Sequence, residues 1–353
     1  MPFPKNREFY KLIEKARFQN EDCKPFVIYQ KPNTAKVNGI FPKTSNLIYT
    51  SNFSESGFVF SPFNTSDKTI LFSNENRIEA SYAGDDTKIR VSSDSIKIGR
   101  EPYLELINKA IKRIGDRELK KVVVSRKITT QTQKNAFELF EQLLNVYPNA
   151  FKYLWFHPKV GMWLGATPET LLKVNKNSLT TTSLAGTLPA IDDDPPNWST
   201  KEVEEQQLVT DYILTALSDT LINIEATVAS SIKAGNLWHL KSIIRGDLNP
   251  ETSLDEIIKV LQPTPAVCGV PKMAAKEFLI KNEGYDREFY TGFLGELNFD
   301  ASRTAHLYVN LRCMKLNGEN ATIFIGGGIT KESNAESEWN ETQYKSKTML
   351  SLL

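Results

Sequence analysis

Histidine and cysteine are scarce in this chain of 353 residues, which contains three of each. The cysteines, Cys23, Cys268 and Cys313, are odd in number and far apart, so a disulfide framework is not expected. With so few histidines, a zinc site built from Cys and His is not expected either. Any bound metal should therefore be held by oxygen atoms.

The sequence also lacks an excess of charge of one sign, since 43 basic residues accompany 42 acidic ones. Without a strong overall field, nucleic acid and anionic membranes are not expected as partners. Apolar runs such as 304–313 are too short and too interrupted to cross a bilayer. The N-terminal residues lack the apolar segment of a secretion signal, so we expect a cytoplasmic protein.

The spacing of apolar residues predicts a mixture of helices and strands. Apolar residues at 104, 107, 111 and 114 indicate an amphipathic helix, whereas the run 122–124 indicates a buried strand. The elements lack the βαβ order of a doubly wound sheet, so we predict an α+β fold with largely antiparallel sheets layered with helices. Residues 1–95 are predicted to form a β-rich meander of the same fold, and residues 96–353 the region that carries the chemistry.

A long helix is predicted over residues 199–222. Ser199 fits its N-cap position and Glu202 its third helical position, which is the pattern of a capping box. Glu205, one turn later on the same face, is not needed by the cap. It is the better candidate for a metal ligand, although a carboxylate on a solvated face would fit the same pattern.

The C-terminal region combines tight backbone with paired carboxylates. The glycines at 326–328 lead into a predicted helix whose first two turns carry Glu338 and Glu341. Glycine lets backbone N–H groups approach an anion, and two Glu at i, i+3 share one face that can offer oxygen ligands to Mg²⁺. Lys345, one turn beyond Glu341, could pair with it. The pattern favours an anionic ligand held beside a divalent cation.

Two residues on predicted strands are candidates for an acid and a base. Glu169 follows the apolar segment 165–168, and such surroundings tend to raise the pKa of a carboxyl, as a general acid requires. Lys121 opens a strand and would have to lose its proton to act as a base. Either residue could equally be an ordinary charge at the end of a strand.

Other polar residues lie on predicted strands and turns. Gly186 and Thr187 follow a Thr-rich strand and combine a close backbone approach with a hydroxyl. His239 lies beside a tryptophan and could be a core histidine or a site residue. Tyr290 begins a predicted strand over 290–297 and offers packing and a hydroxyl.

Arg312 is a charge within the otherwise apolar segment 304–314, which is predicted to form one strand. Arginine suits bidentate binding of a carboxylate, and a buried salt bridge would explain the residue equally well.

Seven segments, taken in order, resemble those of the chorismate-utilising enzymes, the family of anthranilate synthase component I. They are 121–126 (KVVVSR), 165–169, 184–187, 201–205, 263–269 (PTPAVCG), 285–290 and 326–342. The resemblance covers roughly residues 100–350 and implies the fold of that family. KVVVSR and PTPAVCG look like isochorismate synthases, since relatives that use ammonia generally carry Gln at the position of Lys121.

The resemblance implies an enzyme that converts chorismate to isochorismate with Mg²⁺ as cofactor. The implied Mg²⁺ ligands are Glu205 and Glu341, with Glu202 and Glu338 nearby through water. Lys121 would activate a water for attack at C2, and Glu169 would protonate the departing C4 hydroxyl. The implied substrate-binding residues are Gly186, Thr187, His239, Thr264, Tyr290, Arg312, Gly326 and Lys345.

Three alternatives remain open within this resemblance. A salicylate synthase shares the lysine and adds elimination of pyruvate. An aminating relative is disfavoured by Lys121, and a non-catalytic relative that only binds chorismate is disfavoured because the acid, base and metal residues are all present. We expect a monomer whose product serves menaquinone or siderophore biosynthesis.

Overall fold

Seven α-helices and eighteen β-strands make up the residues described by the computed structural model, which are 6–64, 66–84, 98–190 and 194–353. The helices are α1 (Arg7–Glu21), α2 (Arg100–Gly115), α3 (Ala136–Val146), α4 (Thr200–Leu217), α5 (Leu254–Leu261), α6 (Lys272–Asn282) and α7 (Ala335–Leu350). The first nine strands are β1 (Phe26–Gln30), β2 (Lys36–Ile40), β3 (Gly57–Ser61), β4 (Ile70–Ser73), β5 (Arg77–Ser81), β6 (Lys121–Gln131), β7 (Phe151–His157), β8 (Gly161–Thr167) and β9 (Thr170–Asn175). The others are β10 (Ser178–Pro189), β11 (Leu221–Ala226), β12 (Ser230–Ala234), β13 (Leu237–Leu248), β14 (Gly269–Val270), β15 (Phe293–Leu297), β16 (Thr304–Val309), β17 (Cys313–Asn317) and β18 (Asn320–Ile329).

The strands form two nine-stranded sheets. The first sheet has the order β14-β6-β18-β17-β8-β7-β1-β2-β5, and the second has the order β11-β13-β10-β9-β16-β15-β3-β4, with β12 also paired to β13. Every strand pairing in the described ranges is antiparallel. The predicted α+β fold with antiparallel sheets is therefore confirmed.

Aromatic side chains fill the space between the two sheets. Phe60 of the second sheet lies with its ring centroid 4.9 Å from that of Trp155 of the first sheet, and Phe151 stacks on Tyr308 at 4.3 Å. All four are buried, and each contributes about 1.5–3 kcal/mol relative to an exposed position. Helices cover the outer faces, with α1 and α3 on the first sheet and α4 on the second. No helix of the described ranges combines the length and apolarity that crossing a bilayer requires.

The meander predicted for residues 1–95 is wrong in its connectivity. Strands β1, β2 and β5 belong to the first sheet, whereas β3 and β4 belong to the second, where β3 pairs with β15. Short apolar strands specify burial but not the partner strand, which is chosen by distant parts of the chain. The predicted boundary between residues 95 and 96 lies outside the described residues and stays a prediction.

Two predicted elements end earlier than expected. The helix predicted over 199–222 ends at Leu217, and Leu221 already opens β11. The strand predicted over 304–314 is divided into β16 of the second sheet and β17 of the first, and Arg312 lies at the crossing with a φ of 47°. Both strands are largely buried, so the apolar pattern continues through the crossing. Nothing in the sequence therefore marks where the first strand ends and the second begins.

The strand predicted over 290–297 begins only at Phe293, so Tyr290 precedes it in a loop. This loop is held by Arg287, whose guanidinium binds three segments of the chain, one of which is strand β6. Its Nη2 donates to the Val123 carbonyl at 2.6 Å and its Nη1 to the Val267 carbonyl at 2.9 Å. Its Nε donates to Glu283 at 2.7 Å, and both side chains are 2% exposed.

Replacement of Arg287 by methionine tests this connection. The free energy of unfolding should fall by about 3–5 kcal/mol, because Arg287→Met leaves the buried Glu283 carboxylate unpaired. Urea denaturation measures the loss. As a control, Lys315→Met removes a partly exposed pair with Glu288 and should cost about 1 kcal/mol or less. A similar small loss in both variants would contradict the assigned role.

Candidate active site

A pocket lies where strands of the two sheets meet helices α4 and α7. The predicted site residues that line it are Glu169, Gly186, Thr187, Glu205, His239, Tyr290, Arg312, Gly326 and Lys345. The predicted site residues outside this lining are Lys121, Glu202, Thr264, Glu338 and Glu341. Residues far apart in sequence thus come together around one cavity.

Lys121 is fully buried at the start of β6 and faces helix α4. Its Nζ lies 2.9 Å from Glu205 Oε1, and it makes no hydrogen bond of good geometry within the described residues. Burial alone would raise the pKa of Glu205, but the Lys121 ammonium lowers it below its usual value. Glu205 is therefore ionised. Lys121 does not line the pocket itself, but it contacts Glu205, which does.

The glycines 326–328 lie within strand β18, opposite Val123–Ser125 of β6, and not in a tight turn before a helix. A Cβ atom at Gly328 would lie 2.3 Å from Glu205 Oε1, and one at Gly326 would lie 2.9 Å from the Tyr290 hydroxyl. Glycine at these positions leaves room for the side chains of the site, which is a different reason from the predicted approach to an anion.

Glu169 lies between β8 and β9 and is 3% exposed. No hydrogen bond or ion pair to its carboxyl is formed by the described residues. Burial raises its pKa to about 8, and the charges of Lys121, Lys345 and Arg312 only partly oppose this effect. The carboxyl therefore keeps its proton at neutral pH, as the apolar segment before it predicts.

Arg312 enters the pocket from the crossing between the sheets and is held by His239. Arg312 Nη2 lies 2.7 Å from His239 Nε2, and Nη1 donates to the Ala234 carbonyl at 3.1 Å. Because a guanidinium only donates, Nε2 accepts and Nδ1 carries the imidazole proton, directed at the Gly186 carbonyl 3.1 Å away.

Burial and the charge of Arg312 lower the pKa of His239 well below its usual value, so the imidazole is neutral. Burial also lowers the pKa of Arg312 to about 10. No carboxylate of the described residues lies within ion-pair distance of Arg312, so its charge remains available to an anionic ligand.

Helix α4 begins with the predicted capping interaction. The Glu202 carboxylate accepts from the Ser199 backbone N–H at 3.1 Å and from the Ser199 hydroxyl. The cap therefore accounts for Glu202, whereas Glu205 is directed to the pocket as its position on the helix predicts.

Helix α7 brings two further carboxylates to the same region, each paired with a lysine. Glu338 Oε1 lies 2.6 Å from Lys201 Nζ, and Glu341 Oε1 lies 2.7 Å from Lys345 Nζ. Burial, with the nearby charge of Glu341, raises the pKa of Glu338 to about 7. Lys345 also donates to the Gly326 carbonyl at 3.1 Å, which connects α7 with the pocket.

A metal in this region was predicted, and the donor atoms present fit one. Glu338 Oε2 is buried without a hydrogen-bond partner, and carboxylate oxygens are the ligands that Mg²⁺ prefers. In the described residues, however, no three His, Cys, Asp or Glu side chains are already arranged to hold an ion. Glu205, Glu338 and Glu341 are each paired with a lysine in this structure, so the metal site stays a prediction.

Thr264 and the apolar wall of the pocket differ from what the sequence predicts. Thr264 is buried behind the lining, and its hydroxyl has no partner within the described residues. The apolar residues of the wall that we did not predict include Leu184, Leu311, Ile323, Phe324, Ile325 and Met349. Their sequence pattern is that of ordinary core residues. Lys201 was also missed, although it lies in a segment that carries the resemblance.

The family described as chorismate binding enzyme matches residues 62–353 of the chain. Isochorismate synthase DhbC of Bacillus subtilis is 29% identical over 269 residues, which are 71% of this chain and 67% of that protein. The chain thus matches about two thirds of the length of this relative.

Two solved structures share the fold. The structure assigned as the 2,3-dihydroxybenzoate-specific isochorismate synthase DhbC of Bacillus anthracis has a TM-score of 0.81 at 24% identity, over 97% of this chain and 98% of that one. Anthranilate synthase component I from Streptococcus pneumoniae has a TM-score of 0.70 at 17% identity, over 92% and 89%. The fold predicted from the resemblance is confirmed.

Two glycine variants test the room left in strand β18. Gly328→Ala should lower the free energy of unfolding by about 1–3 kcal/mol, because the new methyl group displaces Glu205 from Lys121. In the control Gly327→Ala, the nearest atom lies 3.4 Å from the new Cβ, so a loss of less than 1 kcal/mol is expected, about the effect of a tolerated packing change. Denaturant titration of both variants measures the two losses of unfolding free energy. Equal losses would show that strand geometry, not the ion pair, requires glycine.

Proposed function

Because this chain belongs to the family of chorismate-binding enzymes, we propose that it is an isochorismate synthase, which converts chorismate to isochorismate. The observation that carries the proposal is a buried carboxyl that keeps its proton, Glu169, in the same site as a buried amine, Lys121. The reaction requires an acid and a base on separate elements, and here they lie in the β8–β9 connection and at the start of β6. The similarity to isochorismate synthase DhbC supports the same conclusion.

Chorismate is a diacid, so its binding site must supply positive charge to two carboxylates. Arg312, positioned by His239 and without an acidic partner among the described residues, binds the enolpyruvyl carboxylate together with the Tyr290 hydroxyl. The ring carboxylate lies toward the acidic end of the pocket, where Mg²⁺ held by Glu205 and Glu341, with Glu202 and Glu338 nearby, would supply the positive charge.

The reaction adds one water and releases another. Lys121, as the free amine, accepts a proton from water while the water oxygen forms a bond to C2. The ring double bond shifts, the bond between C4 and its hydroxyl breaks, and Glu169 gives its proton to the departing oxygen.

Incubation with chorismate, followed by chromatography, tests the proposal directly. Isochorismate should form with Mg²⁺ and not after EDTA treatment. A salicylate synthase would yield salicylate and pyruvate, and an aminating enzyme would incorporate ammonia into its product. Either result, or chorismate that is bound and left unchanged, would overturn the proposal.

The pH dependence of turnover tests the role of Glu169. Because a general acid must be protonated and its pKa is about 8, kcat/KM should decline as the pH rises above about 8. Glu169→Gln should lower kcat by about 100-fold or more. As a control, Glu296→Gln changes another buried carboxyl, which lies outside the pocket, and should leave the profile unchanged. Near-normal kcat in Glu169→Gln would remove this residue from the mechanism.

A further inference from the structure

Lys201 connects the first turns of helices α4 and α7 at the acidic end of the pocket. Its Nζ lies 2.6 Å from Glu338 Oε1, and the side chains are 20% and 1% exposed. Lys201 does not line the pocket, so a contact with substrate is not indicated. Its position instead relates it to the carboxylates that are the proposed metal ligands.

The carboxylates of this region lie close together: a Cβ atom at Gly327 would lie 3.8 Å from Glu338 Oε2 and 3.9 Å from Glu341 Oε1, and Glu205 lies beside the neighbouring Gly328. Glu205 and Glu341 each have another lysine as a partner, whereas the direct partner of Glu338 is Lys201. Without Lys201, the carboxylates from two helices would repel one another across a poorly solvated space.

The pairing with Lys201 leaves part of Glu338 unsatisfied. Oε1 is paired, whereas Oε2 is buried without a hydrogen bond of good geometry, although the nearby Ser333 hydroxyl lowers the pKa of this carboxyl. A monovalent ammonium therefore compensates this carboxylate incompletely, whereas a hydrated divalent cation can satisfy both oxygens directly or through water.

We propose that Lys201 is an internal counter-ion that holds the carboxylates of α4 and α7 together in the absence of metal and competes with Mg²⁺ for them. Lys201 is thus a positioning residue that keeps the Mg²⁺ affinity of the free protein low. The inference rests on the proposed function, which identifies the cation as Mg²⁺.

Calorimetric titration with MgCl₂, without chorismate, tests the competition. Lys201→Met keeps the aliphatic stem and removes the charge, and Lys201→Gln also keeps a hydrogen-bond donor for Glu338. Both variants should bind Mg²⁺ about tenfold tighter or more than the wild type, because a positive charge close to the ion is removed. Lys201→Arg, which retains the charge, should bind Mg²⁺ like the wild type.

Thermal unfolding gives a second readout. Lys201→Met should unfold at a lower temperature than the wild type without Mg²⁺, and added Mg²⁺ should restore more stability to it than to the wild type. The matched control is Lys31→Met, which breaks an ion pair of similar burial with Glu296, at 3.0 Å and outside the pocket. Its loss of stability should not depend on Mg²⁺.

Unchanged or weaker Mg²⁺ binding in both neutral variants would overturn the inference, because Lys201 would then support the metal ligands or be irrelevant to them. Absence of Mg²⁺ uptake by the neutral variants as well as by the wild type would overturn it too. The proposed function fails on a different result, namely the absence of isochorismate from chorismate. A protein that makes isochorismate but gains no Mg²⁺ affinity on loss of Lys201 refutes only the inference.

Discussion

Burial of the Glu169 carboxyl without a hydrogen-bond partner among the described residues is the constraint on which the proposed chemistry depends. A carboxylate in that position would have to be stripped of water, and the surrounding cations do not fully compensate for this cost. The protonated form is favoured, and an acid is available at neutral pH. Lys121 is equally buried, but it lies against the carboxylate of Glu205. The proposed acid, Glu169, and the proposed base, Lys121, thus differ mainly in that only Lys121 has a group of opposite charge beside it.

The two sheets share the task of placing these groups. The first sheet supplies Lys121 from β6 and the glycines of β18, while the second supplies Gly186 from β10 and His239 from β13. Arg312 lies where the chain passes from one sheet to the other, in a left-handed conformation. The pocket therefore exists only when both sheets have formed. The N-terminal strands β1 to β5 belong to the same sheets, and residues of β1 to β4 help to complete the apolar layer between them.

Local patterns in the sequence predicted what local physics decides. Helix α2 contains the apolar residues at 104, 107, 111 and 114 that predicted it, and α4 begins with the predicted capping box. The apolar segment before Glu169 predicted its raised pKa. The crossing at Arg312 could not be predicted, because both strands around it are buried and the apolar pattern is continuous. The role of Gly328 was also hidden, because it depends on Glu205, more than a hundred residues earlier in the chain. Lys201 was missed because its partner lies on another helix.

The protonation state of Glu169 is the central claim, and infrared spectroscopy measures it most directly. The difference spectrum between the wild type and Glu169→Gln at pH 7 should contain the carbonyl stretch of one protonated carboxylic acid, which disappears as the pH is raised past about 8. Only carboxylate bands at pH 7 would mean that Glu169 is ionised in the folded protein. It could not then serve as the acid, and the account of the site would be contradicted.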